Sequence, residues 1–198
     1  VNPGPNLQAE PIARLLESEK VTVTAGVPTI WMGVLPELIG RDLPDLRAIA
    51  CGGSAVPKSL SEEFRNKVGL PLLQAWGMTE TSPLAAIAHV KSSDNDLDEE
   101  SKADIRSSVG TIVPSVEFRI CDPGSTNEMQ WDGESSGELQ VRGPFVTARY
   151  HKRPDATDSF TSDGWLRTGD VATCSESGYI SLVDRTKDLI KSGGEWIS

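Results

Sequence analysis

The chain has 198 residues, 37% of them hydrophobic, and is therefore long enough to bury one large core or two small ones. Its formal net charge of −10 argues against general binding to nucleic-acid backbones, which requires a basic surface, but it leaves room for a local nucleotide site. Three widely spaced cysteines and two histidines predict that no zinc cluster is present.

Targeting signals are not apparent in the sequence. No apolar run approaches the ~20 residues that cross a bilayer, and residues 1–5 lack the basic and apolar segments of a signal peptide. A sparse, odd number of cysteines is typical of a reducing compartment. These features predict a cytoplasmic protein, with peripheral contact to a membrane left open, and the missing initiator Met indicates a piece of a longer chain.

Helix and strand signals alternate through the first half of the chain. Apolar residues recur at helical spacing in residues 8–20 and 31–38, and Pro28 and Pro57 suit the first turn of a helix. Short β-branched or apolar runs lie between the helices, at residues 21–25, 47–51 and 70–75. This order predicts part of a mostly parallel sheet covered by helices, within residues 1–107.

Residues 91–107 differ in composition from the segments on either side. They contain six carboxylates and few apolar side chains. Charge runs of this kind are typical of a solvated surface, so we expect an exposed excursion here rather than a packed element.

From residue 108 onward, apolar residues alternate with polar ones at a period of two. The alternation is clearest in residues 116–120, 139–141 and 180–182, and turn signals rich in Gly, Asp and Ser separate these runs. A period of two is typical of strands with one buried face. Residues 108–184 are therefore expected to form an antiparallel β subdomain, such as a distorted barrel.

The most informative segment is QAWGMTETS, residues 74–82. A buried strand ends here in polar residues, and ligand sites in parallel sheets lie at the carboxyl ends of strands. Thr79 and Thr81 can donate hydrogen bonds to a phosphate. Glu80 can hold Mg²⁺, which prefers oxygen ligands, and Trp76 offers a flat face to an aromatic base. The alternative interpretation is an ordinary polar turn after a strand.

Three other polar segments are weaker signals by themselves. The glycines of GGSAVPK, residues 52–58, let backbone approach a ligand, although the segment is not a Walker A loop. The carboxylate of RTGD, residues 167–170, can accept two hydrogen bonds from a ribose diol. Residues 184–198 carry alternating charges and two glycines. Taken singly, these segments are more typical of a strand-to-helix turn, a β-turn and a surface linker, respectively, than of a ligand site.

Taken together and in this order, the segments resemble the core motifs of the adenylate-forming superfamily. That group includes acyl-CoA synthetases, firefly-type luciferases and peptide-synthetase adenylation domains. The matching motifs are AGVPT (25–29), GGSA (52–55), WGMTET (76–81), TGD (168–170) and DRTKDLIK (184–191). The final SGGEWIS (192–198) is most similar to medium- and long-chain fatty acyl-CoA synthetases. The resemblance extends over residues 20–198.

Members of this superfamily join a carboxylic acid to ATP, which gives an acyl-adenylate and pyrophosphate, and coenzyme A then displaces AMP to form a thioester. The resemblance therefore implies an ATP-dependent acid–thiol ligase that binds ATP and AMP with Mg²⁺. A small carboxylic acid would be the substrate and coenzyme A the co-substrate. The implied fold is a fragment of an acyl-CoA synthetase-like N-terminal domain, with the hinge and the start of a C-terminal lid in residues 185–198.

The resemblance also assigns roles to individual residues. Thr79 would contact the α-phosphate and Glu80 would hold Mg²⁺, so both would serve catalysis. The implied nucleotide-binding residues are Gly53, Ser54, Ala55, Trp76, Gly77, Asp170 and Arg185. Val27 and Trp31 would line the acyl pocket, with Trp31 as a gate, although a plain helix-core position is the alternative for Trp31. Lys187 lies where the family hinge is found.

Two family features are not found in the sequence. The Ser/Thr/Gly-rich phosphate loop ending in Pro-Lys-Gly should precede residue 25, and the lid with its catalytic lysine should follow residue 198. We therefore expect the chain by itself to be inactive, with exposed apolar surface that favours a homo-oligomer. Two alternatives stay open: a non-catalytic AMP-binding module, and another adenylate-forming ligase of the luciferase or peptide-synthetase type. The sequence does not identify the acyl chain.

Overall fold

The computed structural model describes residues 1–5, 7–122, 124–185, 190–192 and 195–197, and it describes side chains up to residue 183. The chain folds into two compact units. The first comprises residues 1–76 and 87–107, and the second comprises residues 77–86 and 108–198. The motif-bearing segment 77–86 therefore belongs to the second unit, although it follows directly on a strand of the first.

Helices and strands alternate in the first unit. The helices are α1 (Ala9–Ser18), α2 (Pro28–Leu38), α3 (Lys58–Val68) and α4 (Glu99–Ser107), and the strands are β1 (Val23–Gly26), β2 (Ala48–Gly52) and β3 (Leu72–Trp76). The three strands pair in parallel in the order β1-β2-β3, with Gly26 opposite Cys51 and Gly52 opposite Ala75. The predicted helix-covered parallel sheet is confirmed.

The core of the first unit is built from apolar residues of its helices and of its parallel strands. Trp31 of α2 and Phe64 of α3 meet edge to face, with ring centroids 6.2 Å apart. Ile49 of β2 and Leu72 of β3 belong to the same buried cluster and are fully excluded from solvent. Because burying each such side chain stabilises the fold by about 1.5–3 kcal/mol, this cluster determines which face each helix turns inward.

The last part of the acidic segment forms helix α4, where an exposed excursion was expected. Arg106 of α4 is 5% exposed and donates a hydrogen bond of 2.7 Å to Glu62 of α3. On the same two helices, Lys58 pairs with Glu100 and Asp104. The segment is at least partly exposed, as expected, except at Ala103 and Arg106, but its last part is a packed helix and not an excursion, because these charges pair with α3. A helix held by ion pairs leaves no apolar periodicity in the sequence by which it could be predicted.

Strands predominate in the second unit. They are β5 (Thr111–Ile112), β6 (Glu117–Cys121), β7 (Gly137–Arg142), β8 (Leu166–Cys174), β9 (Ile180–Arg185), β10 (Ile190–Ser192) and β11 (Glu195–Ile197), preceded by β4 (Ala86–Ile87) where the chain passes from one unit to the other. Short 3₁₀ helices are found at Thr79–Thr81, Ser92–Asp94 and Pro154–Ser159. An antiparallel sheet runs in the order β6-β7-β8-β9, as predicted, and β10 pairs with β11.

Strand β8 was not predicted, although it is the longest strand in the described chain. The RTGD segment lies inside it, so the interpretation of Asp170 as a turn residue is wrong. Residues 168–170 stand opposite Leu139 alone, and Gly169 has a φ of +74°. A bulge with positive φ favours glycine. Because glycine is also typical of turns, the sequence of this strand by itself indicates a turn.

Arg119 of β6 anchors a polar network on the antiparallel sheet. Its guanidinium is almost fully buried, donates to the Gln140 side chain at 2.8 Å and forms two hydrogen bonds of 2.8 and 3.1 Å with the Asp163 carboxylate. It also lies 4.6 Å from the centroid of the Trp165 ring. The Arg119 hydrogen bond, together with one from Thr161, lowers the pKa of Asp163 to about 2.

This lowered pKa predicts a specific pH dependence of stability. Asp163 is ionised more readily in the folded state than in the unfolded state, so its ionised carboxylate stabilises the fold. This stabilisation is fully present above pH ~4 and is lost as the pH falls towards 2. The Asp163→Asn variant should therefore show a shallower loss of unfolding free energy between pH 4 and 2, measured by urea denaturation. The difference between the two proteins should disappear in an Arg119→Met background. An unchanged slope in Asp163→Asn would contradict the assignment.

The cysteines form no disulfide. Cys51, Cys121 and Cys174 are buried free thiols, and burial raises the pKa of Cys51 to about 11, so this thiol stays protonated at neutral pH. Among the described residues, no helix combines the length and apolarity needed to cross a membrane.

Candidate active site

Three adjacent parallel strands of the first unit end at the same edge of the sheet. The register places Gly26 of β1 opposite Cys51 of β2, and Gly52 opposite Ala75 of β3. The segments that follow these strand ends begin with Val27, with the glycine loop of residues 53–55 and, directly after Trp76, with the turn of the second unit. Ligands bind at such edges in parallel sheets, so this edge is a candidate nucleotide site.

The glycine loop is held against β3 by close contacts. The backbone N–H of Val56 donates to the side-chain oxygen of Gln74 at 2.9 Å, and Gln74 is buried. A Cβ at Gly52 would lie 2.5 Å from the carbonyl oxygen of Ala75. Gly53 has a φ of +84°, which favours glycine. Ser54 and Ala55 are exposed, so the loop offers them and its backbone to a ligand.

The two candidate acyl-pocket residues differ in exposure. Val27 is 40% exposed at the end of β1, whereas Trp31 is 1% exposed within the core. The Trp31 indole N–H donates to the carbonyl oxygen of Ala50 at 3.3 Å, and a Cβ at Gly26 would lie 3.1 Å from its ring. In this conformation Trp31 is a core residue, and its role as a gate stays a prediction. Trp76, the candidate stacking residue, is 9% exposed.

The turn after Gly77 is closed by a threonine hydroxyl. Thr81 is fully buried, and its Oγ1 accepts a hydrogen bond from the backbone N–H of Met78 at 2.9 Å. The same oxygen lies 3.0 Å from the Pro83 carbonyl. A Cβ at Gly77 would overlap that carbonyl oxygen. The expectation that Thr81 donates to a phosphate is therefore wrong, because its hydroxyl is used to close the turn.

Thr79 and Glu80 are the polar side chains that this turn presents outward. Thr79 is exposed, and in the described part of the chain its hydroxyl has no hydrogen-bond partner. The Glu80 carboxylate accepts a hydrogen bond of 2.6 Å from the Tyr150 hydroxyl through Oε1. The Glu80 carbonyl accepts one of 2.8 Å from the backbone N–H of Thr147. Thr79 is thus available as a donor, and Glu80 is an oriented carboxylate.

Sequence reasoning missed Tyr150 and Thr147. They lie about seventy positions from Glu80 along the chain, and no spacing rule connects residues so far apart. The hydrogen bond to Glu80 raises the pKa of Tyr150, and burial adds to the rise, so the phenol stays a donor at neutral pH. The residues near Tyr150 in the sequence, such as Arg149 and Lys152, form no motif that would predict its contact with Glu80.

The candidate ribose-binding residues lie in the bulged part of the antiparallel sheet. Asp170 is 5% exposed, and its backbone N–H donates to the Thr168 hydroxyl at 3.1 Å. That hydroxyl donates in turn to the Leu139 carbonyl at 2.7 Å. Arg185 stands opposite Asp170 in the β8–β9 register. Lys187 lies outside the described residues.

The turn carries one carboxylate, that of Glu80, which could bind a divalent metal ion. In the described residues, no group of three or more His, Cys, Asp or Glu side chains could hold a metal by itself. Mg²⁺ is typically bound by one or two carboxylates together with phosphate and water oxygens. Glu80 fits this pattern, because its Oε2 has no hydrogen-bond partner among the described side chains.

Known proteins are similar in sequence to this chain over its whole length. The AMP-binding enzyme family model matches residues 1–151. A long-chain-fatty-acid–CoA ligase from Thermus thermophilus is 43% identical over 100% of the chain. A 3-methylmercaptopropionyl-CoA ligase from Ruegeria pomeroyi is 40% identical, also over 100% of the chain. The chain spans 37% and 36% of the length of these two relatives.

A solved structure extends the likeness to the fold. The o-succinylbenzoate coenzyme A synthetase from Bacillus subtilis, in complex with ATP and a magnesium ion, matches 94% of the chain with a TM-score of 0.75 and 31% identity. The match covers 36% of that synthetase. The predicted resemblance and fold class are thus confirmed, and the chain belongs to the AMP-binding enzyme family.

Proposed function

We propose that the whole natural protein containing this chain is an AMP-forming acyl-CoA ligase. The observation that favours this function is the turn after β3, which presents an exposed Thr79 and a Glu80 carboxylate that is held by Tyr150. A glycine loop is hydrogen-bonded to β3 through Gln74, and a turn that presents Thr79 and Glu80 follows the same strand. Hydroxyl and carboxylate side chains of this kind can bind the phosphates of a nucleotide and their metal ion, and a glycine loop lets backbone approach a base.

The proposed reaction has two steps. A carboxylate oxygen of the acid attacks the α-phosphorus of ATP, and the bond from that phosphorus to the bridging oxygen breaks, so that pyrophosphate leaves with the electron pair. The sulfur of coenzyme A then attacks the acyl carbon. The bond from this carbon to the phosphate oxygen breaks, AMP leaves, and the thiol proton passes to solvent. The products are acyl-CoA, AMP and pyrophosphate.

In this proposal the residues of the chain bind and orient the nucleotide. Thr79 donates its free hydroxyl to the α-phosphate, where negative charge accumulates during attack. Glu80 would hold Mg²⁺, which would neutralise phosphate charge. The groups proposed to surround AMP are Gly53, Ser54 and Ala55 at the adenine edge, Trp76 and Gly77 beside it, and Asp170 and Arg185 at the ribose. Lys187 is proposed as the hinge.

The acid is proposed to be a fatty or related carboxylic acid. The Thermus relative is named for long-chain fatty acids and the Ruegeria relative for 3-methylmercaptopropionate, so the chain length is left open. Val27, which is partly exposed, and Trp31 are the proposed pocket residues. A cytoplasmic location is proposed because all three thiols are free and buried, which suits a reducing compartment.

A non-catalytic AMP-binding module is the second candidate. It would use the same glycine loop and the same exposed Thr79, which can hold a nucleotide without a reaction. Because the chain spans only 36–37% of the length of its relatives, activity is proposed for the whole natural protein and not for these 198 residues alone.

One experiment distinguishes an acyl-CoA ligase from a binding module and from another adenylate-forming ligase. The whole natural protein is incubated with ATP, Mg²⁺, coenzyme A and a panel of fatty, short-chain and aryl acids, and pyrophosphate and thioester are measured. A ligase releases pyrophosphate only with a suitable acid and then forms thioester. AMP binding without pyrophosphate release for any acid would favour the binding module. Pyrophosphate release without thioester would favour another adenylate-forming ligase.

A further inference from the structure

The segment between β7 and β8 holds Glu80 at two points. The backbone N–H of Thr147 donates to the Glu80 carbonyl at 2.8 Å, which fixes the main chain of the turn. Three residues later, the Tyr150 hydroxyl donates to Glu80 Oε1 at 2.6 Å, which fixes the side chain. Both contacts lie within the second unit. The position of the carboxylate is therefore determined by a distant part of the chain.

The Tyr150 ring is supported independently of this hydrogen bond. Its centroid lies 5.8 Å from that of Phe160, and the two rings are tilted by 59°. The backbone of Phe160 is bridged to Leu166, the first residue of β8. The hydroxyl is thus carried by a side chain that packs on Phe160, a residue whose backbone is bridged to the antiparallel sheet. Because its ring is held in place, the Tyr150 hydroxyl can orient the Glu80 carboxylate. A tyrosine that rotated freely would instead adjust to whatever position the carboxylate took.

A single carboxylate benefits from such orientation when it binds Mg²⁺. This ion requires nearly octahedral geometry with metal–oxygen distances of about 2.0–2.1 Å, so a ligand that rotates freely binds it poorly. Tyr150 occupies one lone pair of Oε1. Among the described residues, Oε2 has no hydrogen-bond partner and is available to an ion. Carboxylates that ligate metals are commonly held by hydrogen bonds of this kind.

We propose that Tyr150 is a positioning residue, whose hydroxyl orients the Glu80 carboxylate towards the magnesium ion that accompanies ATP. This inference rests on the proposed function, because it requires Glu80 to be a metal ligand. In this role Tyr150 need contact neither the ion nor the nucleotide. Its effect is therefore expected on the dependence of nucleotide binding on Mg²⁺, and to a lesser degree on nucleotide binding itself.

The test uses the whole natural protein and α,β-methylene-ATP, which cannot release pyrophosphate. Its dissociation constant is measured by calorimetry with Mg²⁺ and with EDTA, and the ratio gives the factor by which Mg²⁺ tightens binding. In Tyr150→Phe we expect this factor to fall about tenfold. A purely structural role would weaken binding equally in both conditions and leave the factor unchanged. Tyr179→Phe, which removes the other tyrosine hydroxyl of the chain, is the matched control and should keep the factor.

The Glu80→Gln variant separates failure of this inference from failure of the proposed function. If Glu80→Gln and Tyr150→Phe each reduce the factor, and the double variant reduces it no further, Tyr150 acts through Glu80. If Glu80→Gln reduces the factor and Tyr150→Phe does not, the inference is overturned while the metal role of Glu80 stands. If Glu80→Gln keeps the factor, both are overturned.

A second variant covers the case in which Tyr150→Phe does not fold. Phe160→Leu keeps the Tyr150 hydroxyl but removes the ring that supports it. We expect a smaller fall in the Mg²⁺ factor, about threefold, which is below the ~10–100-fold typical when an outer partner of a metal ligand is itself removed, because the Tyr150 hydroxyl is retained. An unchanged factor in a folded Phe160→Leu protein would count against the support of Tyr150 by the sheet.

Discussion

Replacing Gly77 by alanine is expected to lower the rate of pyrophosphate release by at least 100-fold, although the change adds only one methyl group. The new Cβ would overlap the carbonyl oxygen of Pro83, which is a backbone atom and cannot rotate away. The turn that presents Thr79 and Glu80 would have to open. A displacement of about 1 Å at a catalytic group can cost about 10²-fold in rate, and overpacking typically costs about 1–3 kcal/mol of stability.

The matched control for this variant is Gly33→Ala. A Cβ at Gly33 meets no atom within 4 Å, and the residue lies inside helix α2. Alanine is favoured over glycine in a helix by about 1 kcal/mol, so the control should be as stable as the natural protein or more so, with unchanged activity. Thermal unfolding and pyrophosphate release are measured on all three proteins. Full activity in Gly77→Ala would show that the turn tolerates a shift and that its closure is not required.

The glycine loop and its strand could be predicted because their determinants are local. A short apolar run ends at Gly52, the next residues are small, and Pro57 precedes helix α3. Positive φ at Gly53 and the close approach of β3 then explain why glycine is required at two successive positions. Local patterns of this kind carry information about strand ends, and strand ends are where parallel sheets bind ligands.

The contacts that orient the site could not be predicted in this way. Thr81 and Thr79 have the same side chain two positions apart, and only the folded turn shows that one hydroxyl is buried and the other exposed. The partner of Glu80 is Tyr150, in a segment that carries no recognised motif. Such pairs arise from tertiary packing, and their sequence separation removes any periodic signal.

The Glu80→Gln variant is expected to lower pyrophosphate release by on the order of 10²–10³-fold, the loss typical when one group that stabilises transition-state charge is removed. Glutamine retains a side-chain oxygen that can accept the hydrogen bond from Tyr150, so the turn should keep its shape. What is lost is the negative charge that binds Mg²⁺.

The defect of Glu80→Gln should also depend on the Mg²⁺ concentration. If Glu80 acts through the ion, raising the Mg²⁺ concentration should partly restore the rate of Glu80→Gln, while the melting temperature stays close to that of the natural protein. Glu117→Gln is the matched control, because it removes an exposed carboxylate of the same unit whose ion pair with Arg142 contributes little to stability. At each Mg²⁺ concentration it should be as active as the natural protein. A Glu80→Gln protein that is slow and insensitive to Mg²⁺ would show that the carboxylate serves the reaction by another route, and one that releases pyrophosphate at the natural rate would remove Glu80 from the catalytic site.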